Sequence, residues 1–202
     1  MTNKKITINP KAKGLIFDLD GTIADTMPAH YIAWRNALKP YGIDFPIDVF
    51  ESMAGMPRLA TVERLNEMYG TNMDAKEVSD LKEIEFEKTL VSAKVVEPVF
   101  DVIKEYHGKL PMAVGTGGCR HIATQTMKLL GIDEYIDILV SSDDISNPKP
   151  HPETFLKCAE HIGVDPVDCE VFEDAKLGID AAKSAGMMWI DVTDYYEVTI
   201  GE

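Results

Sequence analysis

The sequence predicts a doubly wound α/β core interrupted by a helical insertion. Three observations carry this. From Val95 onward, short apolar runs alternate with stretches of helical periodicity, as a parallel sheet with crossover helices requires. Residues 25–93 read almost entirely as helix. Polar residues follow directly on the apolar runs: Asp18 and Asp20 after the first, Thr116 after another, Glu173 and Asp174 after a third. In open α/β sheets the site lies beyond the carboxyl ends of the strands, so these residues are expected to converge.

The first strand is Leu15-Ile16-Phe17, and Gly21 after Asp20 ends it in a turn. Asp18 and Asp20 are two apart and would share a face of a strand, a pairing that the turn loosens. Two buried carboxylates repel unless a cation or a proton separates them. The pair reads either as solvated acids at a strand end or as a nucleophile or metal ligand beside an acid–base partner. Asp25-Thr26-Met27-Pro28 then begins a helix, with Thr26 as the cap and Pro28 early, where its missing N–H costs nothing. The helix runs to about Gly42 and carries His30 and Trp34. His30, close in sequence to the acids, suits a role in orienting substrate or the acid–base group, while Trp34 suits the apolar core.

Residues 45–50 form a short helical turn, and Pro57 opens the next helix with Arg58 in its first turn. A cation there opposes the helix dipole; this local conflict reads as function or as an ordinary surface arginine. That helix ends at Gly70. Another begins near Asp74 and carries Val78, Leu81, Ile84 and Leu90, with Lys82 read on its own as a solvated lysine among acidic neighbours. The insertion is assigned to residues 25–94 and the core to 1–24 with 95–202. Two chain crossings between them make a hinge suited to a lid.

In the core, residues 99–107 form a helix, and the strand 111–114 runs into Gly115-Thr116-Gly117-Gly118 before the helix 121–130. Glycines ahead of a helix N-terminus suit an anion, although the spacing matches neither a dinucleotide fingerprint nor a P-loop. The strand 135–140 follows. Three prolines stiffen Asn147-Pro148-Lys149-Pro150-His151-Pro152 and hold Lys149 as a positioned cation. After the helix 155–162 come the strand 169–172, Glu173-Asp174, the helix 175–185 and a last strand 187–190. Several carboxylates in one cleft invite a hard cation, most simply magnesium, and a lysine with a hydroxyl suits a phosphoryl group.

Composition sets limits. The 202 residues carry a formal charge of -14, with 45% hydrophobic and 27% charged residues. That argues against nucleic acid as a partner, and an anionic substrate would need a metal or a local basic cluster. Three cysteines without close spacing point to a reducing, cytoplasmic compartment and no zinc site. No signal peptide or membrane span is expected.

The ordered set Asp18-Leu19-Asp20-Gly21-Thr22, Thr116, Lys149 in a Lys-Pro-x-Pro string, and Glu173-Asp174 followed by Gly178 resembles the haloacid dehalogenase-like superfamily, beta-phosphoglucomutase-like subgroup. The string Pro111-Met112-Ala113-Val114-Gly115-Thr116-Gly117 is similar to that of bacterial fructose-1-phosphate and 6-phosphogluconate phosphatases. The resemblance implies a Rossmann-like core with a C1 cap. It makes Asp18 the nucleophile, Asp20 the acid–base group, and Thr116 and Lys149 the phosphoryl ligands. It implies Mg2+ on Asp18, Asp20 and Asp174 with Glu173 in support. Substrate binding would fall to His30, Trp34, Arg58, Lys82, Gly117 and Arg120, and Thr22 would brace the loop. The implied function is a magnesium-dependent phosphatase of small phosphate esters, acting as a monomer. The alternative is a beta-phosphoglucomutase. Gly118-Cys119-Arg120 weakens it, because a glycine and a cysteine stand where phosphate ligands are expected. Pyrophosphatase and non-catalytic binding readings rank lower.

Overall fold

The computed structural model describes residues 5–196. Strand β1 (Gly14–Phe17) leads through a two-residue strand, β2 (Ala24–Asp25), into four helices: α1 (Met27–Leu38), α2 (Ile47–Ser52), α3 (Arg58–Tyr69) and α4 (Ala75–Thr89). The chain returns through β3 (Lys94–Val95), antiparallel to β2. It then alternates: α5 (Glu97–Tyr106), β4 (Met112–Gly115), α6 (Arg120–Leu130), β5 (Ile138–Val140), α7 (Glu153–Ile162), β6 (Cys169–Glu173), α8 (Lys176–Ser184) and β7 (Met188–Asp191).

The period-2 alternation of side chains sorts the apolar residues into two layers. Leu15, Phe17, Met112, Val114 and Phe172 pack with Val99 and Ile103 of α5 and Met127 of α6. Ile16, Ala113 and Val171 face the other way, onto Phe155 and Cys158 of α7 and Ala181 of α8. The sheet is parallel, in the order β5-β4-β1-β6-β7. The chain builds outward on one side of β1 and then on the other, which makes β1 the point where strand order reverses. This is the α/β architecture that the sequence predicts, with the helical cap inserted after the first strand.

The chain forms two compact units, one running to Asp25 and resuming at Lys94, the other spanning Thr26–Ala93. The helical cap has its own apolar centre, including Trp34, Phe45, Phe50, Val62, Leu65 and Val78. Among the described residues no helix is long and apolar enough to cross a membrane.

Several local expectations change. Thr26 stands at the N-cap of α1 but has helical dihedrals and makes no capping bond through its side chain. The buried face of α4 is Val78, Ser79, Lys82 and Phe86, while Ile84 is exposed. That face carries Ser79 and Lys82 beside its two apolar residues, so hydrophobic period alone does not mark it. β5 begins at Ile138 rather than Tyr135, because the Tyr135 and Ile136 N–H groups donate to the Ile132 carbonyl of the preceding 3-10 turn. In the C-terminal tail, Tyr195 and Tyr196 pack against the α5–α6 layer. Residues 197–202 of that tail lie outside the described residues.

Candidate active site

Strand register puts the key side chains level. Phe17 pairs with Val114 on one side and with Phe172 on the other, and its ring stacks on Phe172 at 4.6 Å between centroids. One step beyond that level stand Asp18 and Glu173. Two steps beyond stand Thr116 and Asp174. The Asp18 N–H continues the ladder by donating to the Phe172 carbonyl at 3.0 Å.

Lys149 enters from the loop between β5 and α7 and is only 7% exposed. Its Nζ lies 2.6 Å from Asp18 Oδ1 and 2.8 Å from Glu173 Oε1, above the Phe155 ring at 4.5 Å. The loop is held by Glu153, whose carboxylate accepts from the Ser146 and Asn147 N–H groups and from the Asn147 side-chain amide. These bonds, the Ser146 N–H foremost, draw the Glu153 carboxyl down to about 2. Sequence reasoning passed over Glu153. The available signal was an acid in the first turn of a helix, directly after Pro152.

Glu173 also accepts from the Ala175 N–H at 2.6 Å. Asp174 Oδ1 accepts from the Thr22 hydroxyl at 2.8 Å, so Thr22 spans from the loop after β1 to the end of β6. Gly21 sits at a φ of 86°, and a Cβ there would lie 2.4 Å from Asp174 Oδ2; only glycine fits both the turn and the approach. The Thr116 hydroxyl accepts from the Gly118 N–H at 2.9 Å. A Cβ on Gly118 would lie 3.3 Å from that hydroxyl and 3.6 Å from Asp20 Oδ2, which places Asp20, on the loop after β1, beside the Thr116–Gly118 loop after β4. A Cβ on Gly117 would meet nothing within 4 Å.

The cluster is electrostatically unbalanced. Burial alone would lower the Lys149 ammonium, but the Asp18 and Glu173 carboxylates outweigh it and hold the lysine charged, above the ordinary lysine range. Burial raises Asp18 well above the usual carboxylate range against the pull of Lys149, with Glu173 and Asp174 adding to the rise. Burial and Glu173 push Asp174 up to about 7. Three carboxylates thus face one ammonium. Among the described residues no three His, Cys, Asp or Glu side chains form a ready ligand cage. Magnesium needs none, because it keeps its waters and binds through one or two carboxylates. The excess of hard, buried oxygens at Asp18 and Asp174 fits such an ion.

Arg120 is turned to other work. Its Nη2 donates to Asp144 Oδ2 at 2.5 Å and to the Leu139 carbonyl at 3.1 Å, and its N–H donates to Asp143 Oδ2 at 2.9 Å. Asp144 Oδ2 also accepts from the Ser141 N–H at 2.8 Å and from its hydroxyl at 2.7 Å.

In the cap, Lys82 is buried, contrary to its reading as a solvated side chain. Its Nζ lies 2.8 Å from His30 Nδ1 and 4.7 Å from the Phe86 ring centroid. The His30 ring stacks on Phe86 at 4.0 Å. Trp34 lies in the apolar centre, 6.4 Å from Phe45. The Arg58 guanidinium meets the Glu83 carboxylate. Sequence reasoning missed Glu83, although it adjoins Lys82 in the chain.

Known proteins resemble the chain along most of its length. A family profile described as Haloacid dehalogenase-like hydrolase matches residues 15–192. The chain is 41% identical over 179 residues to the Fructose-1-phosphate phosphatase YqaB of Escherichia coli, covering 89% of this chain and 95% of the relative. It is 30% identical over 188 residues to the Beta-phosphoglucomutase of Bacillus subtilis, covering 89% and 83%. The crystal structure of a beta-phosphoglucomutase from Clostridium difficile superposes with a TM-score of 0.78 at 27% identity, covering 88% and 83%.

Proposed function

Since the chain belongs to the haloacid dehalogenase-like hydrolases and is a phosphatase of small phosphorylated metabolites, we propose that it hydrolyses a sugar monophosphate through an aspartyl phosphate on Asp18. The observation that carries this reading is the buried contact of Lys149 Nζ with Asp18 Oδ1 at 2.6 Å. A carboxylate attacks an anionic phosphoryl group only where repulsion is offset, and Lys149 supplies that offset at the attacking group.

A carboxylate oxygen of Asp18 forms the new bond to phosphorus as the ester P–O bond breaks, and Asp20 gives its proton to the departing alcohol oxygen. Asp20 then takes a proton from water, the water oxygen bonds to phosphorus, and the bond to Asp18 breaks to release phosphate. Lys149 and Thr116 hold the phosphoryl oxygens. Glu173 holds Lys149 from the other side. Asp18, Asp174 and the Asp20 carbonyl would hold magnesium, with Glu173 in support, and the ion would neutralise phosphoryl charge. His30, Arg58 and Lys82 of the cap, with Gly117 of the core loop, read the remainder of the substrate. We assign Trp34 to cap packing. The core supplies the whole catalytic set from one chain, in keeping with a monomer.

Fructose 1-phosphate and 6-phosphogluconate are the favoured substrates; similarity to the phosphatase named for the former supports this. The mutase reading is supported by likeness to the beta-phosphoglucomutases. It requires ligands for a second phosphate. The bonds from Arg120 to Asp144 and the Leu139 carbonyl weigh against it.

The test is phosphate release from a panel of esters with magnesium, including beta-glucose 1-phosphate with a bisphosphate primer. Rapid release from one sugar phosphate is expected, and Asp18→Asn is expected to abolish it while the thermal melt stays cooperative. Full turnover by Asp18→Asn would falsify the nucleophile assignment. Glucose 6-phosphate formed with little free phosphate would establish the mutase.

A further inference from the structure

We propose that Glu83 is a specificity-determining residue that sets the cap against substrates whose far end carries a second anion. The inference rests on the phosphatase reading above and names the substrate class within it: a monophosphate ester with an uncharged, hydroxyl-rich far end. Arg58 is the first residue of α3. Its guanidinium and the free N–H groups of that helix end both favour an anion. The chain supplies one itself, since Glu83 reaches from α4 to the Arg58 guanidinium. The two side chains are 33% and 25% exposed, so the pair is partly shielded from water without being sealed from it. Both partners stand on helices rather than loops, which holds the pair in place without any substrate. The adjacent Lys82 serves a different face of α4, against His30 and Phe86.

The chemical consequence follows from donor and acceptor counts. A distal carboxylate or phosphate would have to displace Glu83 from Arg58 and then lie beside a like charge, which is a repulsive specificity element. A sugar hydroxyl accepts from the guanidinium and donates to the carboxylate, so it uses both partners as they stand. The pair therefore separates the two favoured substrates. Fructose 1-phosphate has a neutral far end, whereas 6-phosphogluconate carries a carboxylate there.

The experiment measures kcat/KM for these two esters, with magnesium, in the wild type, Glu83→Gln, Arg58→Gln and the double variant. The wild type is expected to favour fructose 1-phosphate. Glu83→Gln is expected to shift the ratio about fivefold toward 6-phosphogluconate, the scale of a partly exposed ion pair. The shift is expected to shrink in the Arg58→Gln background, since the two residues act as a pair. The ratio is insensitive to any loss of folded enzyme, which lowers both rates equally. An unchanged ratio in Glu83→Gln overturns the proposal. So does a wild type that hydrolyses both esters equally well, a result that needs no variant. A wild type that hydrolyses an aryl phosphate but neither sugar phosphate brings down the sugar-phosphatase reading and this inference with it. That outcome is distinct, because it leaves no ratio to compare.

Discussion

Lys149 and Glu170 are both buried ionisable groups, and their surroundings treat charge oppositely. Two carboxylates keep Lys149 charged. Glu170 is 4% exposed, and its Oε2 accepts from the Asn9 N–H at 2.8 Å. Burial outweighs that bond and raises its carboxyl above the ordinary value. A raised carboxyl in the folded state means that ionisation opposes folding. The penalty is absent below the ordinary pKa and grows as pH rises through the folded one. Glu170→Gln keeps an acceptor for Asn9 and removes the penalty. It is expected to melt higher than wild type at pH 7, by about 2–4 °C per kcal/mol relieved, with the difference vanishing near pH 4. Equal melting temperatures at both pH values would refute this. At this scale the sequence was informative about Asp18, Lys149 and Thr22, whose neighbours in the chain already constrain them. It was silent about Glu153 and Glu83, whose meaning comes from what they touch.

Helix α8 carries a glycine where helix propensity alone would favour alanine by about 0.5–1 kcal/mol. Gly178 is there because of Glu173: a Cβ at that position would lie 1.7 Å from Glu173 Oε1 and 2.0 Å from its Cδ. Glu173 is buried and tied to Lys149 and to the Ala175 N–H, so it has little freedom to move aside. Gly178→Ala is therefore expected to lower both the melting temperature and kcat, as Glu173 is pushed from Lys149. A stabilised variant with undiminished turnover would contradict that account. Element ends were legible for a related reason. α3 and α7 stop at Gly70 and Gly163, and the 3-10 turn after α1 at Gly42, each at positive φ, where other residues are strained. The buried face of α4 was not legible, because Ser79 and Lys82 interrupt its apolar pattern.

The molecule as a whole keeps separate apolar centres in its core and its cap. Phe45 is fully buried in the cap and lies within 6.4 Å of the rings of Tyr31, Trp34 and Phe50. Phe45→Ala is expected to cost about 3–5 kcal/mol locally. Native-state hydrogen exchange should then show faster exchange in α1–α4 while amides of β1, β4 and β6 keep their protection. Equal loss in both units would mean that they unfold as one. The formal charge of -14 gives no long-range attraction to an anionic ester, so capture falls to the few cations and main-chain N–H groups at the site.

The sequence by itself determined the alternation of strands and helices, the insertion after β1, and which acids stand at strand ends. These are properties of neighbours in the chain: side-chain period, turn residues and caps act within a few positions. It also marked Lys149, because prolines on both sides restrict it locally. Only the tertiary structure decided which charges meet. The contacts of Lys149 with Asp18 span 131 positions and those with Glu173 span 24. The pairings of Arg58 with Glu83 and of Arg120 with Asp144 likewise join residues far apart in the chain. Charge interactions depend on distance and burial, and neither is carried by spacing along the sequence.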